Sequence, residues 1–336
     1  MADELFGESQ YEAAALRSLG YEADDLIVNA YPLRKAWARE NGVELPPRDR
    51  LHPVMRRGLV PWLRRDRSNQ WMWAALLAQV RSYRPDVVHI QCVDLLPPEI
   101  VRAIQAEVRL VIGQLAAPLP PWPLEGYDLM TSSLPNLVDE FRTAGIPAEW
   151  LPLAFEPALV DKVHTGTRDV GTSFVGSLSR HHAARLLLLR EVAGSVDLDI
   201  WTADWASRNL ADMRASLHSP VWGREMYEVL RRSRATINTH IDVADGYANN
   251  LRLYEATGMG ALLITDAKRN LGDLFEVGRE VITYRDAREC ADLIAHFTSH
   301  PDEAARIAEA GQKRTLKDHT WLDRMSRLAE LARVRA

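Results

Sequence analysis

Residues 238–266, NTHIDVADGYANNLRLYEATGMGALLITD, combine polar side chains with a predicted strand end and a predicted helix start. The segment leaves an apolar strand at Asn238 and crosses a polar loop before a helix predicted over Asn249–Gly258. Asn249, Asn250 and the free backbone N–H groups of that helix start can donate hydrogen bonds to a phosphate, which the helix dipole also attracts. The segment therefore predicts an anion-binding helix start.

Arg252 and Glu255 lie three residues apart in this helix, so they share one face with Asn249. An arginine there can bind a diphosphate bidentately, and a carboxylate one turn later can accept hydrogen bonds from two ribose hydroxyls. An intrahelical ion pair at the surface explains the same spacing, and for these two residues alone it is the better explanation. Gly258 and Gly260 fit a helix C-cap and a tight turn.

Residues 172–182, TSFVGSLSRHH, form a second candidate segment. A strand is predicted to end just before Gly176-Ser177, and this is where a nucleotide meets the backbone in a Rossmann-like unit. Arg180 and the pair His181-His182 could add cationic donors there or could simply be solvated. No HExxH spacing or carboxylate pair accompanies the histidines, so no metal site is predicted.

Polar residues also end two apolar strands of the first half. His89 and Gln91 lie at the carboxyl end of the predicted strand DVVHIQ, and Gln114 lies at the carboxyl end of the predicted strand LVIGQ. The carboxyl ends of strands in an open α/β sheet face the ligand crevice. Any one of these residues is better explained as a satisfied structural group, whereas the three together favour a site.

Residues 55–73 interleave arginines with tryptophans, namely Arg56, Arg57, Arg64, Arg65 and Arg67 with Trp62, Trp71 and Trp73. Such a stretch can bind an anionic acceptor, a membrane surface or nucleic acid. Because Asp66 interrupts it and the chain is acidic overall, we favour a solvated connector whose tryptophans pack on the domain. A peripheral membrane contact through Arg56–Arg67 stays open as the alternative.

The elements that must position these residues alternate between short apolar runs and amphipathic segments, which predicts parallel βαβ units in an α/β fold. Strands are predicted at 26–29, 87–91, 110–113, 127–131, 149–153, 173–176, 198–201, 235–238, 261–265 and 281–283. Helices are predicted at 10–19, 70–83, 98–107, 134–144, 182–192, 226–232, 249–258, 287–300, 301–316 and 321–334.

The polar stretch 155–170 divides the chain into predicted domains at 1–160 and 161–320, with 321–336 expected to cross back to the first domain. The chain enters a glycine turn at Phe6-Gly7 without a preceding strand. We therefore expect the first strand either to be absent or to lie upstream of Met1.

Composition limits the classes of protein that this chain can be. Its 336 residues, 47% hydrophobic and 26% charged, are enough for two globular domains. No apolar run reaches the ~20 residues of a membrane-spanning helix, and the acidic start lacks the order of a secretory signal. Cys92 and Cys290 have no CxxC partner, which excludes a disulfide scaffold and a cysteine zinc site and favours the cytoplasm. The net charge of -5 argues against nucleic acid as a partner.

The segment NNLRLYEATGMGALLITD (249–266) resembles the donor-binding motif of GT-B glycosyltransferases. It is most similar to the CgeB-like (spore maturation protein) branch of the retaining "glycosyl transferases group 1" superfamily. FVGSLSRHHAARLLLL and the stretch that begins LGDLFEVGRE resemble the same branch, so the resemblance is strong over 172–325. GQLAAPLPPWPLEGYDLMTSS, in the first half, resembles it more weakly.

This resemblance implies two tandem Rossmann-like domains that face a cleft, with the acceptor bound by the first and a nucleotide sugar by the second. It implies that Glu255 binds the ribose and that no metal is needed. The candidate catalytic residues are Arg252, His240 and His89. The candidate donor-binding residues are Gly176, Ser177, Arg180, His182, Asn238, Tyr247, Asn249, Asn250, Arg252 and Glu255.

The chain also departs from the superfamily pattern. Tyr247 stands where a second Glu is usual, eight positions before Glu255, and Ser177 and His182 stand where an Arg and a Lys follow the glycine turn. We expect a metal-independent, retaining glycosyltransferase that uses a nucleotide sugar and a glycan, protein or small-molecule acceptor. The alternatives are a non-catalytic module that binds a nucleotide sugar or glycan, and a sugar-nucleotide epimerase.

Overall fold

The computed structural model describes residues 10–56, 60–163, 166–178, 183–203, 215–240 and 245–335, without the side chains of 50–66. The chain divides into two units. The larger contains the described parts of 1–23, 133–136 and 150–330, and the smaller contains 24–132, 137–149 and 331–336. Arg180, His181 and His182, which the sequence singles out, lie outside the described residues.

Strands and helices alternate through most of the described chain. The strands are β1 (Asp49–Arg56), β2 (Val60–Arg67), β3 (Val87–Ile90), β4 (Leu110–Gln114), β5 (Leu129–Ser132), β6 (Ala148–Trp150), β7 (Val170–Val175), β8 (Leu198–Trp201), β9 (Ala215–His218), β10 (Ser233–Asn238), β11 (Leu262–Asp266) and β12 (Ile282–Tyr284). The helices are α1 (Tyr11–Ser18), α2 (Tyr31–Glu40), α3 (Gln70–Tyr83), α4 (Pro98–Gln105), α5 (Pro135–Thr143), α6 (Leu159–Lys162), α7 (Ala183–Ala193), α8 (Gly223–Arg232), α9 (Arg252–Gly258), α10 (Leu271–Leu274), α11 (Ala287–Ser299), α12 (Pro301–Asp318) and α13 (Trp321–Arg335), with a 3-10 turn at Val93–Leu95.

The sheet of the larger unit has six strands in the order β12-β11-β10-β7-β8-β9. Every neighbouring pair in it is parallel. Counted from β7, this is the doubly wound order 3-2-1-4-5-6, whose direction of winding reverses between β7 and β10. Ligands of open α/β sheets bind outside the carboxyl ends of the strands at such a reversal, so the topology places a candidate site beyond Val175 and Asn238.

Apolar side chains cover both faces of this sheet, as the near-continuous apolar strands predict. One buried cluster joins Phe174, Ile200 and Ile264 to α7, α11 and α12. A second joins Val175 and Leu263 to α8, α9 and α10. The strand ends between these clusters are thus held from both sides.

A neutral histidine packs within the second of these layers. His319 Nε2 donates to the Leu274 carbonyl at 2.7 Å, and Arg324 donates to its Nδ1 at 2.9 Å. Burial lowers the pKa of His319 to about 4, although the bond to the Leu274 carbonyl opposes the shift. The imidazole is therefore uncharged at neutral pH.

The smaller unit contains a sheet in the order β3-β4-β5-β6. The pairs β3–β4 and β4–β5 are parallel. Its core includes Val101 and Ile104 of α4 and Leu129 of β5, which are fully buried. The predicted α/β class with two parallel sheets is confirmed.

Two sequence predictions are wrong. The apolar run at 26–29 is not a strand, because it lies at the surface in irregular backbone and turn, with Ile27 exposed and its carbonyl bound by Arg34. Residues 55–73, predicted as a connector, instead contain the end of β1, all of β2 and the start of α3, and β1 and β2 pair antiparallel as a hairpin. The tryptophans that follow do pack on the domain: Trp71 is buried, and Trp73 Nε1 donates to the Leu95 carbonyl at 3.0 Å. Among the described residues, no helix is both long and apolar enough to cross a membrane.

Candidate functional site

A cavity of about 500 Å³ opens in the larger unit at the carboxyl ends of β7, β8 and β10. It therefore lies at the reversal in strand order, where the topology predicts a ligand site. The residues that line it come from five chain segments: Phe174–Ser177 with Arg185, Trp201 and Ala203, Pro220–Trp222 with Met226, Ile237–Thr239, and Asn250–Arg252 with Glu255.

A buried ion pair forms one wall of this cavity. Arg252 Nη1 lies 2.8 Å from Glu255 Oε2, and the two side chains are only 15% and 10% exposed. Arg252 Nη2 also donates to the Val175 carbonyl at 3.2 Å, which ties α9 to the end of β7. The simpler prediction of a surface pair is therefore wrong, because the shared helix face turns toward the strand ends and not toward solvent.

Tyr227 of α8 supports the carboxylate from behind. Its hydroxyl donates to Glu255 Oε1 at 3.4 Å. Burial and the negative charge of Glu255 raise the pKa of Tyr227, so the hydroxyl stays protonated and remains a donor. Glu255 is thus held by one cation and one neutral donor, and its oxygens retain lone pairs for a ligand.

The helix start differs from the prediction. α9 begins at Arg252, three residues later than expected, and Asn249 and Asn250 belong to the preceding loop. Asn250 Oδ1 accepts the Leu253 N–H at 3.3 Å, and its Nδ2 donates to Asn238 Oδ1 at 2.9 Å. Asn250 thereby joins the end of β10 to the start of α9, and it lines the cavity together with Asn238.

The other end of α9 has the geometry that its glycines predict. Gly260 has φ +73, its N–H bonds to the Thr257 carbonyl at 2.8 Å, and Ala261 N–H bonds to the Ala256 carbonyl at 3.0 Å. This pair of bonds is a Schellman motif, which needs a left-handed residue at Gly260. A Cβ on Gly258 would come within 2.7 Å of the Phe155 ring. Both glycines therefore serve the fold of the segment.

Gly176 and Ser177 line the cavity at the end of β7. Gly176 N–H donates to the Trp201 carbonyl at 3.1 Å, so the turn is fixed to the neighbouring strand. Ser177 is exposed. The predicted partners of this turn, Arg180 and His182, cannot be placed with it because they lie outside the described residues.

Arg185, which sequence reasoning did not single out, lines the same cavity. Its Nη1 donates to the Ser177 carbonyl at 2.9 Å and its Nη2 to the Thr239 carbonyl at 3.1 Å. The guanidinium also lies 6.0 Å from the Phe174 ring centre. Its position in the sequence gave no signal, since a lone arginine on a predicted helix is usually solvated.

Aromatic residues form another wall that sequence reasoning missed. Trp201 lies at the end of β8, and the ring of His218 stacks on it at 4.2 Å between ring centres. His218 Nε2 lies 2.8 Å from Asp199 Oδ1, which orients the imidazole. Trp222 also lines the cavity while 60% exposed. The chain contains 10 tryptophans, a high number that was the available signal, but composition does not show which tryptophans converge.

His240 does not line the cavity, although it follows Thr239, which does. Its fully buried side chain places Nδ1 2.7 Å from Asp266 Oδ1, and Lys268 Nζ lies 3.0 Å from Asp266 Oδ2. Burial alone would raise the pKa of Asp266, but the hydrogen bond and charge of His240, with Lys268, lower it to about 2. His240 Nε2 is buried without a hydrogen-bond partner among the described residues.

The remaining candidates are not brought to the cavity by the described structure. Tyr247 lies under the Arg269 guanidinium at 5.6 Å, and Asn249 is not among the lining residues. His89 belongs to β3 of the smaller unit, opposite Ile112 in the register of β4. Within the described ranges, no group of three or more His, Cys, Asp or Glu residues is placed to hold a metal ion.

Comparison with known proteins gives the site a context. Residues 180–330 match the family model described as "Glycosyl transferase-like". No curated protein matches the chain by sequence.

Solved structures share the fold at low identity. HepE from Anabaena, in complex with UDP-glucose, is 12% identical, with a TM-score of 0.60 over 79% of this chain and 82% of that chain. Sucrose-phosphate synthase from Thermosynechococcus elongatus is 12% identical, with a TM-score of 0.55 over 78% of each chain. A glycosyltransferase from Rickettsia africae is 10% identical, with a TM-score of 0.58 over 78% of this chain and 80% of that one.

These neighbours have the GT-B fold of two Rossmann-like domains, and the two parallel sheets described above agree with it. The chain therefore has the GT-B fold, and residues 180–330 are similar to the glycosyl transferase-like family.

Proposed function

We propose that the protein transfers a sugar from a nucleotide-diphosphate sugar to an acceptor. The observation that carries the proposal is the buried Arg252–Glu255 pair in the wall of a cavity at the strand-order reversal. We assign donor binding to the C-terminal domain (161–320) and acceptor binding to the N-terminal domain (1–160). The HepE structure was solved in complex with UDP-glucose, which supports a nucleotide sugar as donor.

The two residues of the pair have complementary roles in this proposal. Glu255 accepts hydrogen bonds from the ribose hydroxyls, since its carboxylate is already oriented by Arg252 and Tyr227. Arg252 places positive charge beside the diphosphate that leaves when the glycosidic bond of the donor breaks. Preoriented charge of this kind stabilises the transition state more than a mobile charge in water does.

The finer points of the proposal concern metal, stereochemistry and family. We propose that no metal is required, because the arginines of the cavity can neutralise the departing diphosphate. Retention of anomeric configuration and membership of the CgeB-like branch are proposed from the resemblance of 249–266. The acceptor is a glycan, a protein or a small molecule.

We also propose Gly176, Ser177, Asn238 and Asn250 as donor contacts, because all four line the cavity. Arg180, His182, Tyr247 and Asn249 stay candidate donor contacts, and His240 and His89 stay candidate catalytic residues.

Donor binding is tested by thermal denaturation in EDTA with UDP, GDP, ADP and dTDP and their common sugar conjugates. A ligand that binds only the folded state stabilises it by RT ln(1 + [L]/Kd), or about 2.7 kcal/mol at 100 times Kd. We expect one nucleotide class to raise the melting temperature and Glu255→Gln to weaken that effect at least tenfold. Glu309→Gln, an exposed partner of Lys313 on α12, is the control that should bind like the wild type. Absence of any shift in the wild type would contradict the proposal.

Product analysis then separates the alternatives. A transferase without acceptor should slowly hydrolyse the donor to free sugar and nucleoside diphosphate. Nuclear magnetic resonance of the sugar as it is first released reports its anomeric configuration. Epimerised nucleotide sugar would instead support an epimerase. An intact donor that binds but never reacts would support a non-catalytic module.

A further inference from the structure

Arg185 is a half-buried cation of the cavity whose hydrogen-bonding capacity is only partly used. Its two Nη groups donate to the carbonyls of Ser177 and Thr239. Its Nε is buried and has no hydrogen-bond partner among the described residues. A buried donor without a partner costs about 1–3 kcal/mol, more when the group is charged. A ligand oxygen that accepts from this Nε would remove that cost.

Arg185 also has no ion-pair partner among the described residues. Arg252 has a carboxylate partner in Glu255, whereas no carboxylate of the described ranges lies within ion-pair distance of Arg185. Burial lowers the pKa of Arg185, Asp266 and Tyr284 oppose the shift, and Arg252 adds to it. A guanidinium stays charged even so, so among the described residues that line the cavity there are two arginines and one carboxylate, Glu255.

We propose that Arg185 binds the diphosphate of the donor together with Arg252, in a chain that has Ser177 and His182 where the superfamily pattern has an Arg and a Lys. The inference rests on the proposed nucleotide-sugar function and deepens it by naming the residue. Two arginines facing one pocket suit a ligand with more than one negative charge, because each guanidinium can bind phosphate oxygens through paired N–H groups. The neutral carbonyls of Ser177 and Thr239 hold Arg185 in place without cancelling its charge.

A purely structural role would look different in solution. Arg185 joins the ends of β7 and β10 through two carbonyls, so its loss could loosen the cavity and weaken every ligand alike. A diphosphate contact instead weakens only ligands that carry phosphate. Binding of a nucleoside, of its diphosphate and of inorganic pyrophosphate therefore separates the two roles.

The experiment measures these three ligands by calorimetry with the wild type, Arg185→Gln and Arg190→Gln. Arg190 is an exposed arginine of the same helix, so its variant removes the same charge away from the cavity. We expect Arg185→Gln to bind the nucleoside diphosphate and pyrophosphate at least tenfold more weakly than the wild type, and the nucleoside less than twofold more weakly. Arg190→Gln should bind all three ligands as the wild type does. Equal weakening of all three ligands, or none, would overturn the assignment.

The ways in which this experiment can fail are distinguishable. If a nucleoside diphosphate binds the wild type and Arg185→Gln equally, the assignment of Arg185 is wrong while the proposed function stands. If pyrophosphate binding is lost in Arg185→Gln but no nucleotide binds the wild type, the anion site stands and the nucleotide-sugar donor does not. If the wild type binds neither pyrophosphate nor a nucleotide, both are wrong.

A second variant covers loss of folding. If Arg185→Gln does not fold, Arg185→Lys is measured instead, because lysine keeps the charge but lacks the planar fork. We then expect weaker binding of the phosphate-bearing ligands alone. An equal loss for the nucleoside would refute the proposal.

Discussion

Replacing Glu255 with alanine should destabilise the larger unit even before any ligand is considered. The change leaves the Arg252 guanidinium, 15% exposed, beside the Val175 carbonyl and the Met226 sulfur without its carboxylate. Removing one partner of a buried ion pair typically costs 3–5 kcal/mol, because the other charge stays buried and uncompensated. The small remaining exposure of Arg252 places the expected loss near the lower end, at about 3 kcal/mol.

The assay is thermal and urea unfolding of the variant without ligand. For a unit of this size, about 3 kcal/mol corresponds to a fall in melting temperature of roughly 6–12 °C. Glu309→Ala, which breaks the exposed Glu309–Lys313 pair, should leave the melting temperature unchanged. The pair would not be buried as described if Glu255→Ala unfolded at the same temperature as Glu309→Ala. The double variant Glu255→Ala/Arg252→Met should recover part of the loss, since it removes the unpaired charge as well.

Three further perturbations probe other parts of the same unit. Gly258→Ala should destabilise the protein by about 1–3 kcal/mol in urea unfolding, because the added Cβ would meet the Phe155 ring. Gly272→Ala, which has open space around it, should have little effect. Equal urea midpoints for the two variants would contradict this packing. Because the pKa of His319 is lowered to about 4, the unfolded state binds a proton at higher pH than the folded state, so stability should fall by roughly 2 kcal/mol between pH 7 and 5. His319→Gln should reduce this dependence of stability on pH. An unchanged dependence in the variant would show that another group causes it. Trp201→Ala should weaken the binding of a nucleotide more than the binding of pyrophosphate, since an aromatic side chain can stack on the base. Equal losses for the two ligands would show that Trp201 does not contact the base.

The fold was largely predictable because parallel strands buried on both faces leave a strong apolar pattern. The predicted strand at 198–201 and the predicted helix at 70–83 coincide with the observed elements. The strand predicted at 26–29 was wrong for the opposite reason. Its apolar residues lie at the surface, and an apolar pattern alone does not show whether a partner strand exists. The hairpin at 49–67 was missed because its charged residues mask the alternation expected of a strand.

The site was predictable only where its residues are close in sequence. Arg252, Glu255 and Asn250 belong to one segment, so their spacing indicated a shared face. Arg185 and Trp201 come from other elements and meet them only because the strand order brings β7, β8 and β10 together. Burial of the Arg252–Glu255 pair depends on the same tertiary packing, which is why spacing alone favoured a surface pair.

A crystal structure of the protein with the nucleoside diphosphate that raises its melting temperature tests the central claim most directly. We predict a diphosphate within hydrogen-bond distance of the Arg252 and Arg185 guanidinium groups, with the ribose hydroxyls on the Glu255 carboxylate. A nucleotide bound outside this cavity, or one whose ribose does not contact Glu255, would contradict the claim.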